Sequence, residues 1–287
     1  MRTVLKSLTV ALLCFANLFL SLFHLPMFPT TELDRSRFTD EPVFADEFNG
    51  SALDKTVWGG HIVQSGTMMR RGGYWNEKMA SVEDGALHIR TAYCADGLDG
   101  GPAGWYSYAL DTNGKYTQKY GYFECRCILP KGVGLWGAFW MLCNSMGDTT
   151  LGGVNGAEID VMESPFYHDK ILRNTTMHTI HIDGYGDAHK SEGSGNYRID
   201  GDPYTQFHTY GVEWNENEYI FYIDGKRTAR TDFGGASQVA EYMLLSVEVG
   251  GDNGVPAESW AGDSIETNGM DFTADFIVDY VRAYAYK

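Results

Sequence analysis

Three carboxylates, Glu158, Asp160 and Glu163, fall within six residues of "GAEIDVMES" (156–164), with apolar Ile159, Val161 and Met162 between them. Asp and Glu are depleted in strands, and one on a wet face is ordinary; three in so short a stretch call for a chemical reason. Glu158 and Asp160 are two apart and share a strand face, whereas Glu163 is five from Glu158 and in a regular strand faces the other way. One β-bulge at Val161 or Met162 restores it, and bulges recur beside active sites. The two Glu Cα atoms then lie roughly 13 Å apart. Long side chains leaning together on a curved sheet bring the carboxyls to about 5–6 Å, nearer the retaining than the inverting glycosidase geometry. Crowded carboxylates cannot all ionise freely, so one becomes a proton donor while another stays charged as a nucleophile. The competing use of such a trio is to hold Ca²⁺, but the D-x-D-x-D-G loop pattern is missing and the acids sit on a strand.

The elements that must position these residues are strands. The chain has 287 residues, 44% hydrophobic and 14% aromatic, with 34 glycines, enough for one large β-rich domain. Strand-length runs alternate with turn signals: "ALHIRTAY" (86–93), "KYGYFECRCILP" (119–130), "LWGAFWMLC" (135–143), "EIDVMES", "NTTMHTIHID", "FHTYGVEWN", "EYIFYIDG", "EYMLLSVEVGG" and "DFIVDYVRAYAY". Residues 207–214 and 219–224 read as a hairpin, and neither an internal repeat nor a long amphipathic helix interrupts the series. Such spacing means a sandwich or barrel.

Residues 1–29 stand apart. A basic start, "MRTVLK", precedes an apolar run of about nineteen residues, then Pro26 and Pro29. This reads as a signal peptide or N-terminal membrane anchor, although no small-x-small cleavage site is visible and the residues before Cys14 make a poor lipoprotein box. Residues 30–42 read as a linker and 43–287 as the catalytic domain. The formal net charge is −16, or about −18 without Arg2 and Lys6. An acidic body lacks the Lys and Arg clusters that nucleic acid requires. Cys94, Cys125, Cys127 and Cys143 show no zinc spacing and read as small buried hydrophobes, with any pairing left open.

"EIDVME" fits E-[ILV]-D-x-x-E, the signature of glycoside hydrolase family 16 in its bulged form, and the chain resembles that laminarinase, lichenase and agarase group over about residues 43–287. "FADEFNGSALDKTVW", "YWNEKMASVEDGALHIRT", "TNGKYTQKYGYFECRCILPKGVGLWGAFWML", "FHTYGVEWNENEYIFYIDGK" and "VDYVRAY" agree with it in order. The resemblance implies an all-β, concanavalin A-like jelly-roll sandwich of two antiparallel sheets with a concave cleft. It also implies retaining endo-hydrolysis of a β-linked polysaccharide or oligosaccharide; the N-terminal segment adds the expectation of secretion or anchoring at the outer face of a membrane, and the expected state is a monomer. Glu158 becomes the nucleophile, Glu163 the acid/base and Asp160 the assisting carboxylate.

Among expected sugar contacts, Trp136 and Trp140 match cleft tryptophans, Asn76 a hydroxyl-binding Asn, and His181 a His beside the acid/base; His178 joins them by position. Trp105 and Trp260 are placed in loops at the cleft rim, and Trp214 and Tyr210 in the core. Catalysis needs no cofactor, but a structural Ca²⁺ occurs in many relatives, and the matching positions are Glu47, Gly85 and Asp279. The chain departs from β-1,3-glucan-active relatives at Gly137, where a Pro is common, and at "VGGDNGVPAESW", where the Trp after Gly250 and Gly251 is delayed to 260. Glu248 adds an acid that can bond a sugar hydroxyl if Ser246 and Glu248 face the cleft. The expected substrate is β-1,3- or mixed β-1,3/1,4-glucan, the alternative a β-galactan, agar-like chain or mucin-type glycan. A non-catalytic lectin has no need of three intact carboxylates, and a transglycosylase differs only in what resolves the intermediate.

Overall fold

A computed structural model describes residues 2–59 and 66–287. Alternating apolar residues build two stacked sheets. Among the described residues one sheet has six strands, β1 (Ala109–Asp111), β2 (Leu135–Leu142), β3 (Glu158–Glu163), β4 (Thr175–Ile182), β5 (Lys190–Arg198) and β6 (Tyr242–Val249), in the spatial order β5-β4-β3-β2-β6-β1. The second has eleven, centred on Gly121–Ile128 and the long strand Thr273–Tyr284. Pairing is antiparallel apart from a short parallel contact between Gly73–Trp75 and Gly104–Ser107. This is the jelly-roll sandwich expected.

Period-2 alternation assigns the faces. In β2, Leu135, Phe139 and Met141 enter the core between the sheets, whereas Trp136, Ala138, Trp140 and Leu142 point to the outer, cleft-forming side. Facing them across the core are Phe123, Cys125 and Cys127, all fully buried, from Gly121–Ile128. The five cysteines are free thiols. Trp214 and Tyr210 are core residues, as expected. Trp105 is also core: despite its Gly- and Pro-rich approach it lies in the strand Gly104–Ser107 and is buried. Truncating such an aromatic costs about 3–5 kcal/mol.

Residues 30–42 are not a free tether. Thr30 and Leu33 donate backbone hydrogen bonds to Arg227 and Gly225, and Phe38 is buried beside Tyr122 and Tyr286. Arg37 forks onto both oxygens of Glu213, which is 1% exposed and also accepts from the hydroxyls of Tyr222 and Tyr286. The segment therefore neutralises a buried charge of the domain. N-terminal to it, the helix Arg2–Leu22 exposes Leu5, Leu8, Leu12, Phe15, Leu18 and Phe19; Leu5–Leu22 is long and apolar enough to cross a membrane by length and composition.

The acids proposed for calcium are engaged otherwise. Glu47 accepts a bidentate pair from Arg282 at 2.7 Å, and Asp279 pairs with Arg126 at 2.5 Å. A cation there would compete with two guanidinium groups for these carboxylates.

Removing one partner of a buried pair leaves an uncompensated charge, so Arg37→Ala should lower the unfolding free energy by about 3 kcal/mol. Urea denaturation checks this; a loss near zero would mean that residues 30–42 rest on the sheet without stabilising it.

Candidate active site

The site is built on an irregularity in β3. Against β4, Asp160 pairs with Thr179 and Glu163 with Met177; against β2, the same two residues pair with Trp140 and Ala138. Three steps along β3 thus match two on each neighbour. The extra residue leaves Val161 and Met162 both fully buried and returns Glu163 to the face of Glu158 and Asp160. A bulge strips a backbone group of its ladder partner. Here His178 supplies one: its Nδ1 lies 2.6 Å from the Val161 carbonyl, which can only accept, so Nδ1 carries the proton. Nε2 then accepts from the Thr228 hydroxyl at 2.8 Å. The ring is buried and stacked on Phe221, and burial holds its pKa down at about 4, so it stays neutral. His178 therefore does not meet substrate; it braces the bulge from the core side.

Glu158, Asp160 and Glu163 line one cavity of about 380 Å³ with Trp136, Trp140, Ser246 and Glu248. Another cavity of similar size, about 340 Å³, lies at the sandwich edge by Cys14, Asn17 and Arg227 and holds none of the three carboxylates. His181 belongs to the trio, its Nε2 3.1 Å from Asp160 Oδ2 and 3.9 Å from Glu158 Oε1. Trp140 donates its indole N–H to Ser246 at 3.1 Å. Trp136 is covered by the Arg71 guanidinium and edge-on by Trp260, which does reach the rim. Glu248 faces the cleft wall but is neutralised, accepting from Arg70 Nε at 2.8 Å with Arg71 Nε 3.5 Å away. Asn76 is not in this wall. It is buried and caps the turn Glu77–Met79, accepting from the Lys78 N–H and donating to Thr67 and Asp99, so its whole amide is used in the fold.

Four residues that spacing did not single out complete the site: Arg70, Arg71, Tyr185 and His189. Arg70 and Arg71 arrive on a turn pressed against Gly250; a Cβ on Gly72 would meet the Gly250 carbonyl oxygen at 2.1 Å, so only glycine permits the approach. "RRGG" in so acidic a chain was the available signal. Tyr185 and His189 sit in the loop joining β4 and β5, where the Tyr185 hydroxyl donates to Glu158 Oε2 and His189 Nε2 lies 2.8 Å from His181 Nδ1. Glycines flanking Tyr185 were the only hint.

The environments separate the carboxylates. Burial raises all three. For Glu158, the Tyr185 hydroxyl and the charges of His181 and Arg70 oppose the rise, which favours an anion. Asp160 sits well above its ordinary value through burial and the Glu158 charge. Glu163 is likewise pushed well up by burial, then by Asp160 and Glu158, and its carboxyl has no hydrogen-bond partner among the described residues. Glu158 is thus the better placed of the two glutamates to carry charge and Glu163 to keep a proton, the division that double displacement uses. Glu158, Asp160 and His181 converge closely enough for a metal ion, but their donor atoms already answer one another and Tyr185.

The family model described as β-porphyranase A–D, GH16 domain, matches residues 38–286. Two curated relatives from Rhizobium meliloti, the endo-1,3-1,4-β-glycanases ExsH and EglC, are 31% and 34% identical over 208 residues. That alignment takes in 71% of this chain and 39% of theirs, so the chain spans about two fifths of their length. The catalytic domain of an endo-1,3-β-glucanase from Thermotoga petrophila is similar in structure, with a TM-score of 0.64, 27% identity, and coverage of 86% of this chain and 98% of that one.

Folded-state pKa values above the ordinary range mean the folded chain binds more protons than the unfolded one. Stability then falls as pH rises from the ordinary carboxylate range through the raised values. Asp160→Asn removes the group on which both influences raise the pKa. It should raise the melting temperature by about 2–4 °C near pH 7 for each kcal/mol relieved. The gain should vanish towards about pH 3, where the aspartate is protonated in both states. A gain of equal size at both pH values would show packing rather than charge at work.

Proposed function

The chain belongs to glycoside hydrolase family 16, and from that premise we propose that it is a retaining, endo-acting hydrolase of β-1,3- or mixed β-1,3/1,4-linked glucan. The observation that carries the reading is the pairing across the bulge: Glu158 and Glu163 face one cavity, one carboxylate receiving a hydrogen bond and the other without one among the described residues. Glu158 attacks the anomeric carbon while Glu163 passes its proton to the departing glycosidic oxygen. A bond from Glu158 to C1 forms as the bond from C1 to the leaving oxygen breaks. Glu163, now a base, takes a proton from the water that attacks C1, and Glu158 leaves as a carboxylate. Asp160, bonded to His181, keeps negative charge from accumulating on both neighbours at once. No step requires a cofactor. All three carboxylates come from one strand of one chain, so the proposed chemistry calls for no second copy. The N-terminal apolar helix supports export or anchoring, with action on polysaccharide outside the cell.

One observation favours a second substrate, a β-galactan. The matching family model is that of porphyranases.

Reducing-end release from laminarin, barley β-glucan, lichenan, agarose and porphyran separates these readings. Turnover is expected on the glucans. Glu158→Gln and Glu163→Gln should each lower kcat at least about 100-fold with the melting temperature preserved. Turnover on the galactans alone moves the substrate, and binding without turnover on any of the five makes the chain a lectin.

A further inference from the structure

The loop joining β4 to β5, residues 183–189, is built to stay over the carboxylates. Asp183 and Gly184 take left-handed φ values of 65° and 74°, turning the chain sharply at the end of β4. The neck is closed by Lys190 Nζ on Asp183 Oδ2 at 2.8 Å and by the Gly184 N–H on the Met146 carbonyl at 3.0 Å. From this base the His189 ring stacks on His181, 5.1 Å between centroids and 12° between planes. Tyr185 is 66% exposed, yet its phenol turns inward and donates to Glu158 Oε2. A solvent-facing tyrosine has water for its hydroxyl; this one is directed at the carboxylate assigned as nucleophile.

We propose that Tyr185 is a positioning residue for the nucleophile, holding Glu158 Oε2 so that Oε1 is the attacking oxygen. The inference rests on the reading of Glu158 given above. In the first step the phenol keeps the carboxylate ionised and fixes its rotation. In the glycosyl-enzyme the same hydroxyl donates to the ester carbonyl, and in the second step it receives the returning charge on the leaving carboxylate. No proton leaves Tyr185 in either step.

The test is the titration of Glu158 in the full chain, followed by carboxyl ¹³C resonance with labelled glutamate, the resonance identified by its loss in Glu158→Gln. The groups facing Glu158 are Asp160 and Glu163 on its own strand, His181 on β4, His189 on the loop, Arg70 on Met68–Arg70, Glu241 just before β6 and Tyr242 at its start. All remain in Tyr185→Phe, which removes only the hydroxyl. Loss of a hydrogen bond to the anion raises the midpoint, by about one pH unit, a tenfold change in ionisation at fixed pH. The acidic limb of kcat on barley β-glucan should move up by the same amount, with kcat down about tenfold and KM little changed, since the contact is to the enzyme's own carboxylate. An unmoved midpoint overturns the proposal, as does a rise in KM alone, which would make Tyr185 a sugar contact. Full turnover in Glu158→Gln overturns the nucleophile assignment instead, whatever the titration shows.

Discussion

The extra residue between Asp160 and Glu163 is the constraint on which the site depends. Without the bulge, strand alternation sends Glu163 into the core and Met162 into the cleft. With it, two apolar side chains are buried in succession and three carboxylates share one wall. The bulge leaves a carbonyl to satisfy, and His178 answers it from behind while Thr228 fixes the tautomer. The catalytic face is therefore held from the side no substrate reaches, by a neutral histidine clamped between a carbonyl, a hydroxyl and the Phe221 ring.

Setting three acids in one half-buried wall costs stability, and the neighbouring groups decide how that cost becomes chemistry. Donors gather around Glu158, whereas the Glu163 carboxyl accepts no hydrogen bond among the described residues. On the proposed function, that asymmetry divides two chemically identical side chains into a nucleophile and an acid. A fourth acid, Glu248, lies in the same wall without joining the trio, because Arg70 and Arg71 neutralise it. Their turn reaches it only because Gly72 lets the backbone close on Gly250. The same logic recurs at the far side of the domain, where Arg37 neutralises buried Glu213. An acidic chain folds here by giving buried carboxylates such as Glu213 and Glu248 specific cationic partners.

Much of this was legible in the sequence because it rests on short-range periodicity. Period-2 runs located the strands, and the five-residue spacing of Glu158 and Glu163 demanded a bulge where one occurs. The errors came where alternation was not applied or does not operate. His178 and His181 are three apart on one strand and so face opposite ways, which removes His178 from the cleft by the same argument that brought Glu163 into it. Asn76 matched a motif position, but an Asn before a short turn is also a good cap, and the cap won. Trp105 lay in a glycine-rich stretch that nevertheless pairs into the large sheet. Tyr185 and Arg71 reach the site from turns whose course is set by left-handed backbone angles and close glycine contacts, which leave no periodic signal.

The central claim is that Glu158 and Glu163 act across the bulge as nucleophile and acid/base in a double displacement. The measurement that addresses it most directly is the anomeric configuration of the first-formed product, read by ¹H NMR during early hydrolysis of the β-linked polysaccharide that the chain cleaves. The account predicts the β-anomer first, with the α-anomer growing in later by mutarotation. The α-anomer appearing first would mean a single inverting displacement, and the pair described here would not be the reacting pair.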